Sequence, residues 1–113
     1  MSVMPALFLS HGAPTLALEE APTSEFMRGL AAELPKPKAI VMVSAHWETE
    51  FPMVTGAKEM ETIHDFQGFS KELYALRYKA PGDLALAKKI RQLLLDAGIE
   101  AEIDYGRGLD HGA

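Results

Sequence analysis

The chain has 113 residues, a formal net charge of −5 at pH 7 and no cysteine. Its acidic balance and scattered basic residues argue against nucleic-acid or anionic-membrane partners, and the lack of thiols excludes disulfides, cysteine-ligated metals and cysteine nucleophiles. No apolar run approaches the ~18 residues of a membrane span, and the N-terminus does not have the pattern of a signal peptide. We therefore expect a single cytoplasmic domain.

The first half of the chain predicts a strand, a helix and a second strand. Residues 5–10 include a continuous apolar run, which is typical of a strand buried on both faces of a parallel sheet. Thr23 or Ser24 can cap a helix that runs to Leu34, where the prolines that follow end it. Residues 38–45 are rich in β-branched side chains and predict a second buried strand.

The second half continues the alternation of strands and helices. A weak third strand is predicted over 51–57, a functional loop over 59–69 and a short helix over 70–76. The clearest helix, 84–97, begins after a capping aspartate and ends before a glycine, and 99–103 alternates as a strand. This order predicts an α/β fold with a mostly parallel central sheet flanked by helices.

Two of the four histidines follow the two apolar runs, where each predicted strand ends. His11 comes directly after the first run and His46 shortly after the second. Ligands and metals bind at the carboxyl ends of strands in open α/β sheets, and imidazole is the commonest neutral metal ligand. The pair therefore predicts a shared metal site, with a role as ordinary loop or capping residues as the alternative for each.

Other polar residues lie in loops where they can contribute to such a site. His64 precedes Asp65, which can orient an imidazole or cap a turn, so structural and functional roles both stay open. His111 follows the last predicted strand and is a natural general acid or base if it lies near the metal. Glu48 is either a third ligand or a surface charge, and the second role is favoured.

Five segments of the chain resemble, in the same order, the signatures of the class III extradiol ring-opening dioxygenases. Its bacterial and plant DOPA-dioxygenase-like branch is the nearest. The segments are 9–14 (LSHGAP), 43–48 (VSAHWE), 62–69 (TIHDFQGF), 72–74 with 78–82 (ELY and YKAPG) and 108–113 (GLDHGA).

The resemblance implies a mononuclear metal at the strand ends, catalytically Fe(II) and sometimes replaced by zinc. His11 and His46 match two of the family's metal ligands, and His111 matches an Asp-His-Gly motif beside the active site. His64, in the third matched segment, is the expected substrate-binding residue. The substrates would be a catechol such as DOPA and O2, with the ring cleaved next to the diol.

Members of that family are considerably longer than this chain, and a further histidine ligand lies in the part without a counterpart here. The last residues, 107–113, have the composition of a loop that introduces another element. We therefore expect residues 1–113 to be the truncated N-terminal portion of a single catalytic α/β domain. In isolation it should bind metal weakly, show little activity and self-associate through an incomplete sheet.

Two alternatives remain at this point. The chain can be an inactive fragment that serves only as a metal-binding or interaction module. It can also be a metal-dependent hydrolase in which the same histidine pair activates water and Glu48 acts as the base.

Overall fold

A computed structural model describes residues 3–10 and 12–113 and shows a mixed α/β architecture. Within these ranges no helix is long and apolar enough to cross a membrane. The elements are, in chain order, a 3-10 turn at Pro14–Ala17, α1 (Pro22–Glu33), β1 (Met53–Thr55), β2 (Glu59–Met60), α2 (Lys71–Ala75), β3 (Ala80–Pro81), α3 (Leu84–Asp96) and β4 (Glu102–Asp104).

All three predicted helices are present within a residue or two of their expected ends. The Asp83 side chain accepts a hydrogen bond of 2.9 Å from the backbone N–H of Leu86 at the start of α3. Gly98 follows α3 with a φ of +78°, a conformation that glycine adopts without steric cost. At α1, Ser24 accepts from the backbone N–H of Ala21 at 3.0 Å, so the predicted cap acts from inside the first turn.

The sheet structure consists of short pairs. β1 and β4 are parallel, with Met53 opposite Glu102 and Thr55 opposite Asp104, and α3 packs on both strands. β2 and β3 form an antiparallel pair. β4 corresponds to the strand predicted at 99–103, and it begins three residues later than expected.

One further backbone contact joins the segment after β2 to the segment after β4. Thr62 and Leu109 form an isolated parallel bridge. The backbone N–H of Ile63 donates to Leu109 O, and that of Leu109 donates to Glu61 O, both at 2.7 Å. This contact fixes the start of the matched segment 62–69 beside the segment that leads to His111.

The two strands predicted at 5–10 and 38–45 are absent, so these predictions were wrong. Both segments lack strand pairing, and their apolar side chains are exposed: Phe8 is fully exposed and Val43 is 88% exposed. A buried parallel strand requires neighbours along its edges and layers on its faces. Neither segment has such neighbours among the described residues, so apolar composition alone did not produce a strand.

Candidate metal centre

Three potential metal ligands from three separate segments meet at one place. His46 lies in the turn after the second apolar run, Asp65 in the loop after β2, and His111 in the turn that follows β4. One potential ligand atom from each residue lies within 4.8 Å of the other two. His46 and Asp65 are exposed and His111 is half-buried, so the group is accessible from solvent.

Asp65 contacts His111 through two hydrogen bonds to the same oxygen. The backbone N–H of His111 donates to Asp65 Oδ1 at 3.0 Å, and His111 Nδ1 lies 2.8 Å from that oxygen. Partial burial alone would raise the pKa of Asp65, but the bonds from the backbone and ring of His111 hold this pKa below its ordinary value. Asp65 is therefore a carboxylate at neutral pH.

The rings of His46 and His111 are in direct contact. Their centroids are 3.9 Å apart and their planes are inclined by 39°. Gly112 makes this approach possible, because a Cβ atom at that position would collide with His46 Cδ2 and Ser44 Oγ. Any larger residue at this position would therefore have to displace the side chains of His46 and Ser44.

Asp110 is buried between the two histidine-bearing turns. Its side chain is 2% exposed. It accepts hydrogen bonds from Ser44 Oγ at 2.5 Å, from the backbone N–H of Gly112 at 2.9 Å and from Arg107 Nη2 at 2.8 Å. Ser44 Oγ in turn accepts from the backbone N–H of His46 at 3.2 Å, so Asp110 links the backbones around both histidines.

The bonds to Asp110 also fix its charge. Burial favours a raised pKa, but the hydrogen bonds from Ser44, Gly112 and Arg107 outweigh it and hold the pKa of Asp110 below its ordinary value. The Arg107 guanidinium that pairs with it lies 5.2 Å from the centre of the Trp47 ring. The turn that carries His46 is thus held from both sides.

The sequence of this chain matches a known protein family. A family model described as the catalytic LigB subunit of aromatic ring-opening dioxygenase matches residues 5–113. The chain belongs to this family. The resemblance to the ring-opening dioxygenases inferred from the five motifs is therefore confirmed.

Curated relatives of this LigB-family chain carry the name "4,5-DOPA dioxygenase extradiol". The protein from Escherichia coli (strain K12) is 46% identical over 111 residues, which cover 97% of this chain and 40% of the relative. Those from Mirabilis jalapa and Beta vulgaris are 41% and 40% identical, covering 94% and 99% of this chain and 41% and 43% of the relatives. The chain thus spans about two fifths of the length of these relatives.

The structure brings some of the predicted site residues together and not others. The rings of His46 and His111 lie together, and their roles as metal ligand and as catalytic base stay predictions. His11 lies outside the described residues, so its convergence with His46 stays a prediction. His64 is not in the three-residue group: its Nε2 atom lies 2.8 Å from Leu76 O and 3.1 Å from Arg77 Nη1. Its assignment to substrate binding also stays a prediction.

The carboxylates of the site were only partly anticipated. The carboxylate in the cluster is Asp65, and Glu48 is not part of the cluster. Asp65 does orient an imidazole, but that of His111 rather than that of its neighbour His64. Asp110 was not predicted as a site residue, although it directly precedes a candidate catalytic histidine and is the aspartate of the matched Asp-His-Gly motif.

The donor atoms fit a divalent transition metal. Two imidazoles and one carboxylate are the donor set typical of non-haem Fe(II) oxygenases, and zinc also accepts nitrogen and oxygen ligands. His46, Asp65 and His111 group such donor atoms at a solvent-accessible place, and Asp65 and His111 are at the same time hydrogen-bonded to each other. The family and this donor set support metal binding.

Proposed function

We propose that this chain forms part of a metal-dependent extradiol dioxygenase that opens the ring of a catechol such as DOPA with O2. The grouping of His46, Asp65 and His111 in a LigB-family chain supports this function. Because the chain spans about two fifths of its relatives, residues 1–113 would be one portion, by sequence the N-terminal one, of a larger catalytic α/β domain.

In this proposal, His11 and His46 are metal ligands and Fe(II) is the catalytic ion, with Zn(II) able to occupy the same site. The metal would supply one centre at which the catechol oxygens and dioxygen meet. His46 is suited to ligation because its ring is exposed while its backbone N–H is bound to Ser44 Oγ. Its ring can therefore contact an ion from a turn that is already fixed.

His111 acts in this scheme as the base that accepts a catechol hydroxyl proton. Its Nδ1 atom faces Asp65, which leaves Nε2 as the nitrogen for the substrate proton. His64 would contact the substrate from the loop that also carries Asp65. The rings of Phe66 and Tyr74 lie 5.8 and 6.2 Å from that of His64 and offer an aromatic surface on which a catechol ring can pack.

The proposal can be tested by placing this chain in a relative of full length. We expect a chimaera in which these residues replace the matching segment of the Escherichia coli relative to consume O2 with L-DOPA and form a ring-opened product. Activity should require added Fe(II), and His46→Ala should remove both the bound metal and the product. Oxygen consumption, product absorbance and metal content are the measurements.

Lys89→Ala provides a matched control, because Lys89 is exposed on α3 and lies outside the cluster. It should retain both metal and turnover. The 113-residue chain alone should bind Fe(II) weakly and leave catechols unconverted. A folded, iron-loaded chimaera that converts no catechol would refute the proposed function, and turnover of ~1 s⁻¹ by the short chain would show that its site is complete.

The exposed apolar segments predict that this chain self-associates. Ile40 is 70% exposed and Val43 88%, and contiguous apolar surface of this kind favours association. We expect concentration-dependent oligomers in sedimentation velocity, and a shift towards monomer in the double variant Ile40→Lys/Val43→Lys. Leu93→Lys, at a 58% exposed position on α3, is the control and should not change the distribution. A monomer at all concentrations would contradict this prediction.

A further inference from the structure

We propose that Asp65 is a positioning residue that holds His111 in the tautomer with hydrogen on Nδ1, so that Nε2 carries the lone pair. The catalytic importance of this arrangement rests on the proposed function. The tautomer itself does not, because it follows from contacts within the chain.

The hydrogen-bond geometry admits only one direction for the ring bond. An ionised carboxylate accepts hydrogen bonds and cannot donate them. Asp65 Oδ1 lies 2.8 Å from His111 Nδ1, so a lone pair on Nδ1 would face a lone pair on oxygen. The hydrogen must therefore be on Nδ1, and neutral His111 then has its free lone pair on Nε2.

The same oxygen also fixes where the ring lies. It accepts from the backbone N–H of His111 at 3.0 Å, so the main chain and the ring of one residue are held by one atom. Phe66, the residue after Asp65, meets the His111 ring edge-on, with centroids 5.6 Å apart and planes at 86°. Among the described residues the ring of His46 is also a neighbour, with its centroid 3.9 Å from that of His111.

The loop that carries Asp65 is itself anchored. The Tyr74 hydroxyl, on α2, donates to Phe66 O at 3.0 Å. On the other side, the backbone of Ile63 is bound to Leu109 at 2.7 Å. Asp65 is thus held by contacts on both sides of its position. A carboxylate fixed in this way can orient an imidazole, as partners of histidine do in metal and catalytic sites.

The tautomer can be measured directly, without metal or substrate. In the chelator-treated 113-residue chain with ¹⁵N-labelled histidine, two-bond ¹H–¹⁵N correlations at pH 8 distinguish Nδ1–H from Nε2–H. The His111 signal is assigned by its loss in His111→Gln. We expect Nδ1–H in the wild type and a majority of Nε2–H in Asp65→Ala, with Asp65→Glu restoring part of the Nδ1–H signal.

Asp83→Asn is the matched control, because Asp83 caps α3 through a single bond and lies outside the cluster. It should leave the His111 signal unchanged. An Nε2–H pattern for His111 in the wild type would overturn the proposal whatever the Asp65 variants show. An unchanged pattern in a folded Asp65→Ala protein would overturn it as well.

Kinetics in the chimaera test whether the tautomer matters for the reaction. Asp65→Ala should lower kcat by about 10–100-fold, the usual cost of losing the partner of an active-site histidine, with KM and iron content nearly unchanged. An unchanged kcat would overturn the positioning role. If the tautomer shifts as expected but the wild-type chimaera converts no catechol, the proposed function fails while the Asp65–His111 contact stands.

Discussion

Replacing His111 by alanine should lower catechol turnover by about 10²–10⁴-fold in the chimaeric dioxygenase, while the iron content stays nearly constant. The physical reason is that a bound catechol must lose its hydroxyl protons, and a positioned base contributes a factor of this size. The proposed function assigns His111 as the base, with Nδ1 directed at Asp65 and Nε2 left for the proton, so its loss should remove a proton acceptor while the metal ligands stay in place. Steady-state oxygen consumption and elemental analysis measure the two effects separately.

His46→Ala is the matched comparison, because its ring lies against that of His111 but is assigned to ligation. This variant should lose iron and activity together. If His111→Ala loses iron to the same extent, His111 is itself a ligand. The metal site would then use the 2-His-1-carboxylate set formed by His46, Asp65 and His111.

Removing the Asp110 side chain should be the most destabilising substitution in this region. Asp110→Ala should reduce the free energy of unfolding by about 3–5 kcal/mol, the usual cost of breaking a buried ion pair by deleting one partner. Its carboxylate is 2% exposed and accepts from Ser44, Gly112 and Arg107, so all three donors lose their partner. Urea unfolding at pH 7, followed by circular dichroism, measures the loss.

Asp83→Ala is a suitable control, because Asp83 accepts a single exposed hydrogen bond at the start of α3. It should cost only about 1 kcal/mol, as loss of a helix cap does. If Asp110→Ala also reduced the free energy of unfolding by only about 1 kcal/mol, the buried network would contribute no more to stability than one surface hydrogen bond.

The pH dependence gives a second test of the Asp110 network. The pKa of Asp110 lies below its ordinary value of 3.8, so the folded state binds fewer protons than the unfolded chain in this range. The stabilisation by the carboxylate is thus fully present above about pH 4 and disappears as the pH falls through the folded-state pKa. The stability difference between wild type and Asp110→Ala should narrow below about pH 4, and a difference that stays constant down to pH 3 would contradict this account.

The sequence by itself determined the helices and the family. Asp83 and Gly98 mark the ends of α3 because capping bonds and a left-handed glycine are interactions between residues a few positions apart. The order of the five motifs likewise indicated the family of ring-opening dioxygenases, and the family model over residues 5–113 confirmed that membership.

Only the tertiary structure decided which predicted strands formed and which carboxylates are hydrogen-bonded around the histidines. The runs at 5–10 and 38–45 have the composition of buried strands, but a strand exists only with a partner, and none pairs with them among the described residues. Asp65 and His111 are 46 positions apart, and Ser44 and Asp110 are 66 apart. Periodicity and capping patterns report interactions within a few residues, so neither pairing could be predicted from the sequence. The close approach of the chain at Gly112, which no local pattern encodes, brings the His46 and His111 turns together.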